Sequence, residues 1–429
     1  RAGIYSGPVP GLRRRGACGR GRTVLAGQGM PHAKAGGPAV MRVGLDLHSL
    51  SGLMQGSRTY MANLAQRLPA AAPDIDFVFY ATDPDAPHIR ALAGDARNVA
   101  RRAIPHGRFA RLVWPFPDRA AREVDVLHCQ YVGPLRGGPP TVLSIHDILH
   151  ETMPEHFPRG LGSLMRRLYP GSARRARRVL TISDFSRREI IARYHVPEER
   201  IAFAHLGVGP EFKPVADAAR LTAMRARLRL PPGPYILSVG RIEPRKNLPT
   251  LVAAYGLVRE RLGAAAPTLV LAGGRDRLFA EFYDRMLREG AAHGVFLPGT
   301  VPQEDLPALY GGAAAFAYPS FGEGFGLPVA EAMACGAPVV ASSAPAVPEV
   351  TGGAALLVAP TDAAGLAAAL VRVLTDTALA GRLRAEGLSR ARELTWDAAV
   401  ALAVAAYRLA ASTSLSTRTR ASNSTGLDR

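Results

Sequence analysis

From Met41 onward the chain alternates short apolar runs with longer amphipathic segments, and it does so twice over. The first set of runs is 42–47, 76–81, 124–129, 141–145, 179–182 and 201–204; the second is 235–239, 268–272, 295–297, 313–318, 339–341 and 355–358. Short apolar runs separated by helix-length stretches predict strands in stacked β-α units, and so a doubly wound α/β fold. Between the sets lies Gly207 to Asp217, GVGPEFKPVAD, whose glycines and prolines predict a hinge. The expected organisation is a leader at 1–40, a first Rossmann-like domain at 41–206, a hinge at 207–217 and a second Rossmann-like domain at 218–395. In such folds the ligand-binding groups gather at the carboxyl ends of the strands.

Two of those ends carry unusual chemistry. The run Tyr235–Val239 leads into Gly240-Arg241-Ile242-Glu243-Pro244-Arg245-Lys246-Asn247, with Asn247 expected to cap a helix starting at Leu248. Arginine clamps phosphate oxygens in a fork and lysine supplies a point charge, so Arg241 and Lys246 together suit a diphosphate, each charge-assisted bond contributing about 1.5–3 kcal/mol. The other reading is a solvated turn in an arginine-rich chain. Lysine, however, is scarce: it occurs only at 34, 213 and 246.

The second end is Phe321 to Gly336, FGEGFGLPVAEAMACG, which places Glu323 and Glu331 eight positions apart across a glycine-rich turn. A strand ending near Pro319, the turn, and a helix from Leu327 closed by Gly336 form a strand-loop-helix unit. Its backbone N–H groups and helix dipole favour an anion. An ionised carboxylate accepts hydrogen bonds only, and its two oxygens suit vicinal hydroxyls such as those of a sugar. Against this stands the reading of Glu331 as a solvated helix residue and Glu323 as a loop charge. A third end, Ser144-Ile145-His146-Asp147, sets a histidine immediately after a buried strand, facing the cleft or satisfied by neighbouring backbone.

GRIEPRKN followed some eighty residues later by FGEGFGLPVAEAMACG resembles the retaining, nucleotide-sugar-dependent glycosyltransferases of family 4, over roughly residues 41 to 410. The resemblance implies the GT-B architecture: two Rossmann-like domains facing each other across a cleft, with a C-terminal helix at 396–411 crossing back to the first. It implies that Arg241 and Lys246 hold the donor diphosphate and that Glu331 accepts the ribose hydroxyls. Glu323 and the backbone of Phe325, Gly326 and Leu327 would hold the sugar. His146 would contact that sugar near the reacting centre, Asp147 would orient a loop or the acceptor, and Gly56-Ser57 would stand for the family's glycine loop beside the phosphates, although Gly-x-Gly is missing here. It further implies no metal and no cofactor, with GDP-mannose or another nucleotide diphosphate sugar as donor and a saccharide or lipid-linked saccharide as acceptor. Asp83-Pro84-Asp85 has metal-motif spacing but follows an apolar strand with a proline inside, and is expected to be a turn.

The formal charge of +18 shrinks to +11 once residues 1–40, with seven cations and no acid, are set aside. That segment lacks periodicity and an apolar signal core, and Met41 is the expected start of the folded protein. The remaining basic run, Arg166-Arg167 and Arg174 to Arg178, fits either an anionic membrane surface or a solvated helix; without interleaved aromatics, nucleic acid is not an expected partner. No run of 18 apolar residues occurs, and three scattered cysteines, Cys18, Cys129 and Cys335, suggest neither disulfide nor metal, so a cytoplasmic protein, peripheral on the inner face of the membrane, is expected. The tail 412–429, rich in Ser and Thr, is expected to be disordered. Two other classes fit the layout: a two-domain solute-binding protein, which would need an export signal, and an inactive transferase-fold partner subunit.

Overall fold

The computed structural model describes residues 40–51, 56–105, 112–113, 116–157 and 159–424. The leader through residue 39, with Cys18, and the segment 52–55 lie outside them.

Two parallel sheets organise the chain. The first contains β1 (Met41–Asp46), β2 (Ile75–Ala81), β3 (Val99–Ala103), β4 (Val126–Gln130), β5 (Thr141–Ser144), β6 (Arg178–Thr181) and β7 (Ile201–Phe203), in the order β3-β2-β1-β4-β5-β6-β7. The second contains β8 (Tyr235–Val239), β9 (Thr268–Ala272), β10 (Val295–Gly299), β11 (Ala315–Tyr318), β12 (Val339–Ser342) and β13 (Leu356–Val358), in the order β10-β9-β8-β11-β12-β13. Every strand pair is parallel. Near-continuous apolar strands such as Tyr235–Leu237, buried on both faces, are what a parallel sheet covered by helices requires.

In each sheet the strand order reverses once, between β1 and β4 and between β8 and β11. Crevices at such reversals, outside the carboxyl ends of the strands, are where this fold class takes ligands. The two motifs singled out from the sequence leave β8 and β11, the strands that flank the second reversal.

Three expectations are corrected. β3, VARRA, was not foreseen: its two arginines break the apolar pattern, and it is tolerated because β3 is an edge strand with Arg101 reaching toward Asp85. Asn247 does not cap the helix Leu248–Leu262 through its side chain. It holds a left-handed backbone (φ 54°), while its amide donates to Pro319 O and Pro360 O, tying the two motif loops together. The segment from residue 412 is not disordered throughout: the helix that begins at Trp396 continues to Ser424, since extending an existing helix costs far less than starting one.

That last helix packs against the helix Gly56–Ala71 and across β4 to β7 of the first sheet. Its apolar side chains Ala399, Val400, Ala403, Tyr407 and Ala410 are buried there, which accounts for its apolar composition. Ser183 caps the helix Asp184–Tyr194 by accepting from Ser186 N, and the 83–85 segment is a turn, as expected, in which Asp83 accepts from Asp85 N. Cys129 and Cys335 are buried free thiols.

Candidate active site at the carboxyl ends of β8 and β11

β8 runs straight into Gly240, and the turn Pro244–Lys246 then swings three consecutive side chains around a short 3-10 helix. Lys246 comes to lie with Nζ 2.8 Å from Glu323 Oε1 and 2.8 Å from the Tyr318 hydroxyl. Arg245 takes the other carboxylate oxygen: Nη1 is 2.6 Å from Glu323 Oε2 and also donates to Gly322 O, while Nη2 donates to Glu243 Oε1. The two motifs, 77 residues apart, therefore meet at a single carboxylate. Burial by itself would raise the Glu323 pKa, but Arg245 and Lys246 outweigh it and hold the carboxyl at about 2. Lys246 is pulled below the usual lysine range, by burial first and then by the neighbouring Arg245 charge, against the attraction of Glu323.

Arg241, the first residue after Gly240, is more exposed than these. Its Nη2 bonds to Asp276, its guanidinium stands over the Phe279 ring, and its Nε lies 3.6 Å from Glu243, beyond hydrogen-bond reach. Arg241, Lys246, Tyr318 and Ser320 line one small cleft between the ends of β8 and β11.

Glu331 sits apart from this cluster. On the helix Leu327–Ala334 it accepts from the Tyr310 hydroxyl at 2.8 Å, and burial, reinforced by Glu211, raises its pKa to about 8. The structure thus brings Lys246 and Glu323 into contact and gives Glu331 a different partner. Between the two acids, Phe325 is buried with its ring 5.6 Å from that of His205, and Gly326 (φ +105°) turns the chain into the helix. The first N–H groups of a helix have no helical partner four residues back; here Pro328 has none to offer and Val329 N bonds to Gly326 O.

The first sheet supplies the facing wall. His146 follows β5, is buried, and is kept neutral because burial lowers its pKa to about 3. The Tyr60 ring meets it edge-on at 4.8 Å and Tyr131 lies at 5.4 Å. Gln130 connects it to the start of the helix Gly56–Ala71: its amide nitrogen donates to Ser57 O and lies 3.5 Å from His146 Nε2. Gly56 opens that helix, and a Cβ there would meet nothing within 4 Å. Asp147 accepts from Leu149 N and presses its other oxygen onto the loop after β11, where a Cβ at Gly324 would stand 2.7 Å from it. Only glycine fits that approach. Nearby, His156 stacks on Phe321 at 5.0 Å.

Two residues escaped the sequence, and Glu349, in a stretch that resembles the family, was given no role there. Arg245 and Glu243 complete the charge cluster, and the cue was the Glu-x-Arg-Lys adjacency itself. Glu349 reaches from the helix Val347–Thr351 to the helix Asp184–Tyr194, accepting from Asp184 N and Phe185 N at 2.8 Å each. Among the described residues no group of three His, Cys, Asp or Glu side chains is placed to hold a metal ion.

Comparison with known proteins matches residues 54–212 to the family described as Glycosyltransferase Family 4 and residues 233–376 to that described as Glycosyl transferases group 1. The O-antigen chain mannosyltransferase B of Escherichia coli is 37% identical over 271 residues, 62% of this chain and 70% of that protein. The serotype-specific mannosyltransferase WbdA, also from Escherichia coli, is 32% identical over 239 residues, 54% of this chain but 29% of its own length. Among solved structures, Anabaena Alr3699/HepE in complex with UDP-glucose superposes with a TM-score of 0.62 at 19% identity, covering 88% of this chain and 100% of that one.

Proposed function

Since the chain belongs to glycosyltransferase family 4, we propose that it transfers a mannosyl group, with retention at the anomeric carbon and without a metal, from GDP-mannose to a hydroxyl of a saccharide or lipid-linked saccharide. The mannosyltransferases among its relatives support the sugar, and the related fold that holds UDP-glucose supports a nucleotide diphosphate sugar as the donor class.

The reading rests on one observation above all: Glu323, beyond the end of β11, shares its two oxygens between Lys246 and Arg245, beyond the end of β8. A donor diphosphate entering beside Gly240 competes for the Lys246 ammonium and for Arg241. As Lys246 turns to the phosphate, Glu323 Oε1 is released to accept from a sugar hydroxyl, while Arg245 keeps the carboxylate in place. Glu331 takes the ribose hydroxyls, and the N–H groups at Phe325 to Leu327 take sugar and phosphate oxygens.

The bond from the anomeric carbon to the phosphate oxygen breaks and the bond to the acceptor oxygen forms on the same face, the acceptor proton passing to the leaving phosphate. Negative charge grows on the diphosphate and positive charge on the sugar ring. Arg241, Lys246 and the helix start at Leu327 stabilise the first; neutral His146, beside the ring, is an acceptor for its hydroxyls without adding repulsive charge. Losing one such preorganised partner costs about 3–4 kcal/mol, or roughly 10²–10³ in rate.

A thermal-shift panel of GDP-mannose, UDP-glucose, UDP-N-acetylglucosamine and dTDP-rhamnose identifies the donor; about 2.7 kcal/mol of stabilisation is expected at a hundredfold excess over Kd. Donor turnover is then measured in Glu323→Ala, Lys246→Ala and Glu331→Ala, and near-wild-type rates in all three end the assignment. We place the enzyme on the inner face of the membrane. A groove lined by Arg136, Arg175 and Arg177 and by the 133–140 loop, with no acid among its described lining residues, supports this. Flotation with anionic liposomes at low salt is expected, and its absence counts against that placement.

A further inference from the structure

A buried polar chain runs from the last helix to the first sheet's cleft wall. The Tyr407 hydroxyl lies 2.7 Å from His128 Nδ1, His128 Nε2 lies 2.7 Å from Ser144 Oγ, and Ser144 Oγ lies 2.9 Å from the Tyr60 hydroxyl. All four residues are at most 3% exposed. Such groups are costly to bury unless every one is bonded, and when all are bonded they fix a single arrangement. Each member comes from a different element: the helix Trp396–Ser424, then β4, β5 and the helix Gly56–Ala71.

The chain ends on the ring that touches His146. Tyr60 meets that imidazole edge-on at 4.8 Å, and the Trp396 ring lies 6.5 Å from Tyr60. Trp396 and Tyr407 thus reach Tyr60 from two points on one helix, about three turns apart, one by ring contact and one through hydrogen bonds. Trp396 also sits against the passage between the two sheets. Val208 N donates to Leu394 O, and a Cβ at Gly207 would fall 2.2 Å from Trp396 N, so only glycine lets the two stretches of chain approach this closely.

Resting on the role given to His146 in the proposed reaction, we propose that Tyr60 is a positioning residue for glycosyl transfer: clamped by Ser144, His128 and Tyr407 at its hydroxyl and by Trp396 at its ring, it sets the His146 imidazole against the donor sugar. The same clamp ties that setting to the point where the chain passes from one sheet to the other. A shift there moves Trp396, hence Tyr60, hence the imidazole. Neutral His128 donates through one ring nitrogen and accepts through the other, and the three hydroxyls can turn to match, so the chain is satisfied with a single polarity.

The test uses the full-length enzyme with its best donor from the thermal-shift panel. Tyr60→Phe removes one oxygen and keeps the ring. It is expected to lower kcat roughly tenfold or more, as small misplacements of a group at the reacting centre do, with donor KM and the donor-induced thermal shift unchanged. In a His146→Ala background the same change is expected to have no further effect on kcat, because its route is gone. Tyr407→Phe, at the far end, lowers kcat in the same direction and adds nothing to Tyr60→Phe. Wild-type kcat in Tyr60→Phe while His146→Ala is crippled overturns the inference alone, as do equal losses from Tyr60→Phe in both backgrounds. Wild-type kcat in His146→Ala instead brings down the role assigned to that histidine.

Discussion

Lys246 Nζ lies 2.8 Å from Glu323 Oε1 while Arg245 Nη1 lies 2.6 Å from Oε2 of the same carboxylate, so one acid is shared by two scarcely exposed cations. Removing one member of a buried ion cluster leaves uncompensated charge, and the damage grows with the number of partners stranded. Glu323→Ala strands Lys246 and leaves Arg245 with Glu243 alone, and is expected to cost about 3–5 kcal/mol of stability. Lys246→Ala leaves Glu323 still bonded to Arg245 and is expected to cost less. Urea denaturation of both variants ranks them, and the opposite order would contradict the shared-carboxylate geometry.

The same cluster sets an acid limit. The Glu323 carboxyl is depressed from 4.5 in its ordinary state to about 2 in the fold, where Arg245 and Lys246 overcome the effect of burial. A depressed acid contributes stability that is fully present above its unfolded pKa and disappears as pH falls through its folded one. Stability should therefore decline between pH 4.5 and about 2, and Glu323→Gln should flatten that decline while being less stable than the parent at about pH 7. Denaturation midpoints across the range test it; an unchanged slope in the variant removes Glu323 as its source.

Glu331 has the opposite sign. Burial raises its pKa from 4.5 to about 8, so the folded chain holds a proton that the unfolded chain has released, and stability falls as pH rises through that window. Glu331→Gln keeps the bond from Tyr310 and removes the titration, so it should be more stable than the parent at about pH 8 and indistinguishable near about pH 4. If ribose hydroxyls bond this carboxylate, they favour its ionised form, and donor binding at about pH 7 releases a proton. Calorimetry in two buffers of different ionisation enthalpy detects that release, which Glu331→Gln should abolish.

Much of this was legible from residue order because strand ends announce themselves: an apolar run that stops at Gly240 or Pro319 exposes the next residues of the chain, here Arg241 to Asn247 and Phe321 to Leu327. His146 was singled out by the same logic, and Asp147 by the family resemblance. Arg245 was not, because two adjacent cations look equivalent in a sequence and only the 3-10 turn decides that both reach Glu323. Asn247 has the composition of a cap but commits its side chain to two carbonyls from distant loops. The Tyr407–His128–Ser144–Tyr60 chain includes a bond between residues 279 positions apart, and no local pattern marks any of its members.

Glu349 shows how far such reach extends: from a helix beside the second sheet it places both oxygens on the backbone N–H groups of Asp184 and Phe185, 165 and 164 residues away, and meets His205 Nε2 at 3.3 Å. A carboxylate there satisfies two of the orphan donors of the helix Asp184–Tyr194 and faces the positive end of its dipole. His205 in turn lies beside the Phe325 ring, so the contact that joins the two halves also borders the loop after β11. Glu349→Ala removes a cap and should cost about 1–2 kcal/mol of stability. It should also loosen one half against the other, raising donor KM and increasing the radius of gyration in solution scattering without donor. Glu349→Gln, which retains an acceptor oxygen, should fall between. Unchanged scattering and unchanged KM in Glu349→Ala would reduce the contact to a local cap with no part in holding the cleft.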